Sequence, residues 1–227
     1  MLTAKQLFSV LPSNCYPIIY YAGFGGQMVT RILSAHEECY WQSSWNNSHE
    51  LLESPLKFPE TVGGFMLCRD DWTIKDNYSK VHGGLGIYPK GNYFSLDNEI
   101  KQILHCIKTI KTNKLVWFHT HPSAINPGFK NGSLDWVACP FVYLYASESC
   151  DFLDIRDKQF KIYSRITPCQ NKLAYNLDVS QLFSNNYNNF ESEYLKLCAH
   201  FKLTPQINSV RAFILRYLER LLYIQQF

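Results

Sequence analysis

The stretch His119-Thr120-His121-Pro122 follows directly on the apolar run Leu115–Phe118. Imidazole changes charge near neutral pH, so a histidine at the end of a strand can take a proton from an attacking hydroxyl. Along an extended strand alternate side chains share a face, which puts His119 and His121 on one side and Thr120 on the other. A second stretch, Tyr21-Ala22-Gly23-Phe24-Gly25-Gly26-Gln27, joins a β-favouring apolar run to a segment with helical spacing. Glycines there permit positive φ and close backbone approach, so several amides can converge on one point. The start of a helix adds unpaired donors and a favourable dipole, and the combination suits phosphate or sulfate. Tight packing of a strand on a helix also demands small residues, and that reading stands beside anion binding.

Two common forms of such a turn are excluded. No Lys-Ser or Lys-Thr closes it, as a Walker A loop requires, and Met28 occupies the last glycine position of the dinucleotide pattern. A zinc site is the alternative use of the histidines. His119-Thr120-His121-Pro122 with Ser133-Leu134-Asp135 resembles the metal motif of deubiquitinase-like metalloproteases, implying a zinc-dependent hydrolase built on His119 and His121. Asp135, however, stands farther from His121 than that motif allows, and a single residue separates it from Ser133. Catalytic zinc needs a third protein ligand in the right place, and no metal is expected.

The elements that must position these residues follow from periodicity. Tyr16–Tyr21 is a short continuous apolar run and reads as a strand buried on both faces. Gln27–His36 switches to helical spacing, with Met28, Ile32 and Ala35 on one stripe. Cys39–Lys80 reads as loops with short helices, His49–Leu52 among them, and Val81–Gly91 as a glycine-rich connection. Ser95 or Asp97 can cap a helix through Ile100, Ile103, Leu104, Ile107 and Ile110. Leu115–His119 and Phe141–Ala146 are the second and third strands, and Phe160–Ile166 is a candidate for a further one. The tail is helical over Val179–Phe183, Asn189–Phe201 and Ile207–Leu222. Strands alternating with helices predict an α/β fold with a parallel sheet, and ligands bind beyond the carboxyl ends of such strands. One domain over 1–227 is expected, with an irregular insertion at about 39–94 and a helical region at about 176–227.

Composition narrows the function classes. Apolar residues at 46% and charged residues at 18% describe a globular chain, and Tyr and Phe at 15 each predict an aromatic core. A net charge of +3 is too small for a general polynucleotide binder, so no nucleic-acid partner is expected. The eight cysteines are scattered, without a C-x-x-C pair, and read as small buried hydrophobes of a reducing, cytoplasmic setting. No apolar run reaches the ~18–20 residues that span a bilayer, so no membrane association is expected. The last helix carries Val210, Phe213, Ile214, Tyr217, Leu218, Leu221 and Leu222 on one stripe. It either docks on the core or meets a second copy of the chain.

Taken in order, the glycine turn, the His119–Pro122 stretch and the strand Phe141–Ala146 resemble the sulfotransferase branch of the P-loop fold. The resemblance extends to small viral and marine-bacterial members. It implies a P-loop-type parallel sheet that binds 3′-phosphoadenosine-5′-phosphosulfate (PAPS) as co-substrate and passes its sulfuryl group to a small-molecule or glycan hydroxyl or amine. On that resemblance Gly23, Phe24, Gly25, Gly26 and Gln27 hold the 5′-phosphosulfate. His121 is the general base, His119 stands where the family has a lysine, and Ser149 and Arg156, with Ser147, are candidates for the 3′-phosphate. Trp41, Trp45 and Trp72 offer stacking surfaces for the acceptor. Two departures are chemical: the first-motif lysine of the family falls on Gly23, and the arginine after its third strand falls on Ala146. Without that lysine the same fold can also serve as an inactive binding or structural module.

Overall fold

The protein is described by a computed structural model covering residues 8–20, 24–40, 44–45, 51–52, 56, 85–87, 112–120, 134–148 and 167–224. In chain order it contains β1 (Cys15–Ile19), α1 (Gly26–Ser34), β2 (Ser44–Trp45), β3 (Leu51–Leu52), β4 (Leu85–Ile87), β5 (Val116–Thr120) and β6 (Phe141–Tyr145). These are followed by β7 (Ala174–Asp178), α2 (Val179–Leu182), α3 (Tyr187–Phe201) and α4 (Ile207–Ile224).

Among the described residues five strands form one sheet in the order β4-β5-β1-β6-β7, and every pairing in it is parallel. The fold is therefore α/β, as expected. β1 lies at the centre, with Cys15 opposite Val116 and Ile19 opposite Thr120 on one side, and Ile18 opposite Val142 on the other. A proline inside a central strand needs a reason, because it offers no N–H to the ladder. The Asn14 carbonyl accepts from the Val116 amide at 2.8 Å, so residues 14, 16 and 18 turn their backbone groups toward β5. Pro17 therefore faces β6, where pairing begins only at Ile18. The missing donor has no partner to disappoint.

One face of the sheet carries Ile18, Trp117, Val142, Leu144 and Leu177, and a single buried cluster joins them to α1, α3 and α4. On α3 the apolar stripe is Phe190, Tyr194, Leu197 and Cys198; on α4 it is Val210, Phe213, Ile214, Tyr217 and Leu218. The docked reading of the last helix is the observed one over these positions. α1 is enclosed more completely than a surface helix, since Thr30, Arg31 and Ser34 are buried along with Met28, Val29, Ile32 and Leu33. Helix ends follow local chemistry. Asp178 and Asn186 accept from the amides two residues on, at Ser180 and Asn188, capping α2 and α3. Lys202 closes α3 in the left-handed region at φ 55°, a position where glycine is usual.

Three expectations require correction, and two lie outside the described residues. Leu85–Ile87 is a strand beside β5 rather than part of a loop, because a three-residue stretch with a glycine at its middle can still add to a ladder. Leu51–Leu52 pairs antiparallel with Ser44–Trp45 and is not helical. Ala174–Asp178 is the fifth strand of the sheet, although residues from 176 onward were expected to be helical. The terminal helical region thus begins at Val179. The helix expected through Ile100–Ile110 and the strand expected at Phe160–Ile166 lie outside the described residues, apart from Thr112 and Asn113 at the end of the former.

Candidate functional site at the carboxyl rim of the sheet

β1 carries the chain to Tyr20, and α1 starts at Gly26 with Gly25 as its N-cap residue. Gly25 has φ 72° and ψ 23°, the left-handed conformation that glycine adopts without steric cost. Gly26 is glycine for a different reason. A Cβ on it would lie 2.2 Å from the Tyr20 ring, so the ring packs directly on the first turn of the helix. The turn thus holds a conformation that glycine takes easily at Gly25 and a contact that only glycine fits at Gly26.

The polar groups of this turn sort clearly. The Val29 amide donates to the Gly25 carbonyl at 2.9 Å, and the Thr30 hydroxyl to the Gly26 carbonyl at 2.8 Å. The amides that precede Val29 belong to the first turn, which has no intrahelical acceptor for them. Gly25 has no side chain with which to cap them, and no acidic residue stands in that turn. Phe24 is buried beside it. Arg31, the nearest cation along the helix, is 4% exposed and lies over the Phe213 ring of α4 at 5.1 Å. Its guanidinium serves the helix–helix contact.

The histidine stretch approaches the same rim. β5 runs parallel to β1, with His119 opposite Ile18 and Thr120 opposite Ile19. The described ends of the two strands thus stand level, one preceding the glycine turn in sequence and the other preceding His121. Of the expected site residues, Phe24, Gly25, Gly26, the backbone of Gln27 and the backbone of His119 belong to the described residues. His121, Gly23, Ser149 and Arg156 lie outside them, as do Trp41 and Trp72.

The β6–β7 side of the rim differs in charge. Asp178, at the end of β7, is 4% exposed and accepts from the Ser180 amide at 3.0 Å, the Ser180 hydroxyl and the Ser147 amide at 3.3 Å. The Ser147 and Ser180 hydroxyls meet at 3.3 Å. The Asp178 amide donates to Glu193 of α3 at 3.0 Å, and Gln181 donates to Glu148. Burial, with Asp178 and Glu193 nearby, pushes the Tyr145 hydroxyl above its ordinary pKa. These groups clamp the end of β6 to the start of α2. They also set the Asp178 carboxylate against Ser147, which disfavours a second anion at that place. Asp178 was not among the expected site residues. An Asp immediately before Val-Ser-Gln-Leu is an N-cap signal, which reveals a helix start but not the strand before it.

Thiol chemistry is absent from the described part of this rim. Cys15, Cys39, Cys169 and Cys198 are buried and Cys139 half-buried, all as free thiols. Burial pushes Cys39 up to about 12 and Cys15, Cys139 and Cys198 to about 11. Such thiols are inert at neutral pH. Among the described residues no group of three His, Cys, Asp or Glu side chains gathers as metal ligands. Among them, too, no helix is long and apolar enough to cross a membrane. Comparison with protein-family models, with curated proteins and with solved structures finds no match to this chain.

Proposed function

We propose that this chain binds an anionic phosphosulfate or phosphate group at the turn Gly23–Gln27 and transfers sulfuryl from PAPS to a hydroxyl or amine. The observation that carries this reading is the register of β1 on β5, in which Ile19 and Thr120 end level at one rim. In an open parallel sheet that rim is where ligands bind. Left-handed Gly25 and a first turn of α1 without a side-chain cap from its N-cap residue are the features that favour an anion. In this reading the sheet is of P-loop type, and His121 takes the acceptor proton as the oxygen or nitrogen attacks sulfur. The turn amides and a cationic His119 or Arg156 offset the charge that develops on the leaving phosphate.

A second reading is favoured by the Tyr20 ring against Gly26. There the glycine stretch serves packing alone, and the chain is a binding or structural module without turnover. Calorimetry with 3′-phosphoadenosine-5′-phosphate separates the two. The transferase binds the nucleotide, and His121→Ala keeps that binding while losing about 10²–10⁴ in transfer rate. Absence of heat and of a thermal shift at millimolar nucleotide would favour the module, since a ligand well above its Kd must raise stability.

A further inference from the structure

At the opposite, amino-terminal rim, the carboxyl end of α1 is joined to the connection between α3 and α4 by a buried chain of hydrogen bonds. His36 is 2% exposed. Its Nδ1 lies 2.9 Å from the Thr204 carbonyl oxygen, which can only accept, so Nδ1 carries the hydrogen. In the neutral ring Nε2 is then the acceptor, and the Tyr194 hydroxyl, at 3.3 Å, donates to it. The same hydroxyl accepts from the Gln206 amide at 2.9 Å. The His36 and Tyr194 rings stack at 5.9 Å. Around this chain the Thr204 amide and hydroxyl donate to Glu38 at 2.8 and 2.6 Å, and the Gln206 side-chain amide donates to the Ala35 carbonyl at 3.0 Å.

We infer that the His36–Tyr194–Gln206 chain is an acid-sensitive latch: a proton taken up at His36 Nε2 releases the connection between α3 and α4 from the end of α1. A protonated Nε2 is a donor aimed at a hydroxyl whose own hydrogen points back at it. That hydroxyl must turn away, and the neighbour left to receive its hydrogen is Cys198, whose sulfur is a weak acceptor. Among the described residues Glu38 and Tyr194 bear on the imidazole, and Cys198 lies against the Tyr194 hydroxyl. Tyr194 and Cys198 approach from α3, and burial raises both pKa values, keeping them neutral. Glu38 approaches from the segment after α1, where its bonds to Thr204 hold its carboxyl below the usual range. Burial lowers the pKa of His36, while the Thr204 carbonyl and Glu38 oppose that shift without cancelling it.

The sign follows. Unfolded, the imidazole titrates near 6.5; folded, it titrates lower. The unfolded state therefore binds more protons in the interval between those values, and stability falls as pH drops from 6.5 through it. Loss of the Glu38 contribution comes only below about 4.5, its ordinary value. Burial lowers the pKa of His200 as well, so it contributes in the same interval and serves as the control.

The test is urea unfolding of the full chain from pH 7.5 to 5 for the wild type, His36→Asn and His200→Asn. Asn keeps a donor near the place of Nδ1 and removes the titration. The expected result is that His36→Asn takes up about one proton fewer on unfolding in this interval, while His200→Asn retains most of the wild-type dependence. A wild-type profile for His36→Asn overturns the latch. Should that variant not fold, amide exchange in the wild type decides. Protection at Thr204 and Gln206 is expected to fall, relative to the β6 amides, as the His36 imidazole titrates by NMR. A protonated His36 with Gln206 still protected contradicts the inference.

Discussion

At its amino end α1 begins on a left-handed glycine that has no side chain to offer the first-turn amides. At its carboxyl end the following residues are tied down by Thr204, Tyr194 and Gln206, and Trp117 donates to Cys39 at 3.1 Å. The same helix is thus fastened by side chains at the amino rim of the sheet and begins without a side-chain cap at the carboxyl rim, where the proposed anion site lies. Fastening uses long-range side-chain bonds; receptiveness uses small residues and backbone. The difference follows from what each device must do. A lock requires acceptors and donors that find each other inside the protein, and a binding turn requires groups that do not.

Substitutions can break this contrast from either side, and the largest effect is expected at the receptive end. Gly26→Ala forces a Cβ into the Tyr20 ring, including its near carbon at 2.5 Å, so the ring cannot simply swing its tip away. The expected cost is about 3 kcal/mol, from overpacking. Thermal unfolding should fall by about 6–12 °C for a chain of this size. Tyr20→Leu in the same chain should recover part of it, giving a favourable coupling in a double-mutant cycle. A neutral Gly26→Ala would show that the ring does not rest on the helix.

A smaller loss is expected at the fastened end. Tyr194→Phe leaves the Gln206 amide and His36 Nε2 facing no partner, and an orphaned buried polar group costs about 1–3 kcal/mol. Denaturant unfolding should show a lower midpoint with an unchanged slope. The steepness of the acid dependence should also change, because Nε2 no longer loses a hydrogen bond when it takes up a proton. A stability equal to the wild type would sink the account of this end as a lock.

Most of the elements around the glycine turn were legible in the amino-acid sequence, and almost none of the fastened end was. Cys15–Ile19, Val116–Thr120 and Phe141–Tyr145 are short continuous apolar runs, and α1, α3 and α4 carry long stripes at helical spacing. Such signals are local, and the elements fall within a few residues of their expected places. β7 was hidden because Ala-Tyr-Asn-Leu-Asp runs without a break into the residues of α2 and alternates poorly. β3 and β4, of two and three residues, are too short to show any period. His36 and Thr204 are 168 positions apart, and no residue near either one announces the pairing. Close packing was one of the two readings of the turn, but its partner was invisible: nothing local names the Tyr20 ring as what leaves Gly26 no room for a side chain.

The receptive character of the glycine turn is tested most directly by titrating isotope-labelled protein with 3′-phosphoadenosine-5′-phosphate and following backbone amides. The account predicts saturable shifts at Gly25, Gly26 and Gln27, with Thr204 and Gln206 at the other rim unmoved. Amides of the turn that stay in place at millimolar nucleotide, or shifts that gather around His36 instead, would contradict it.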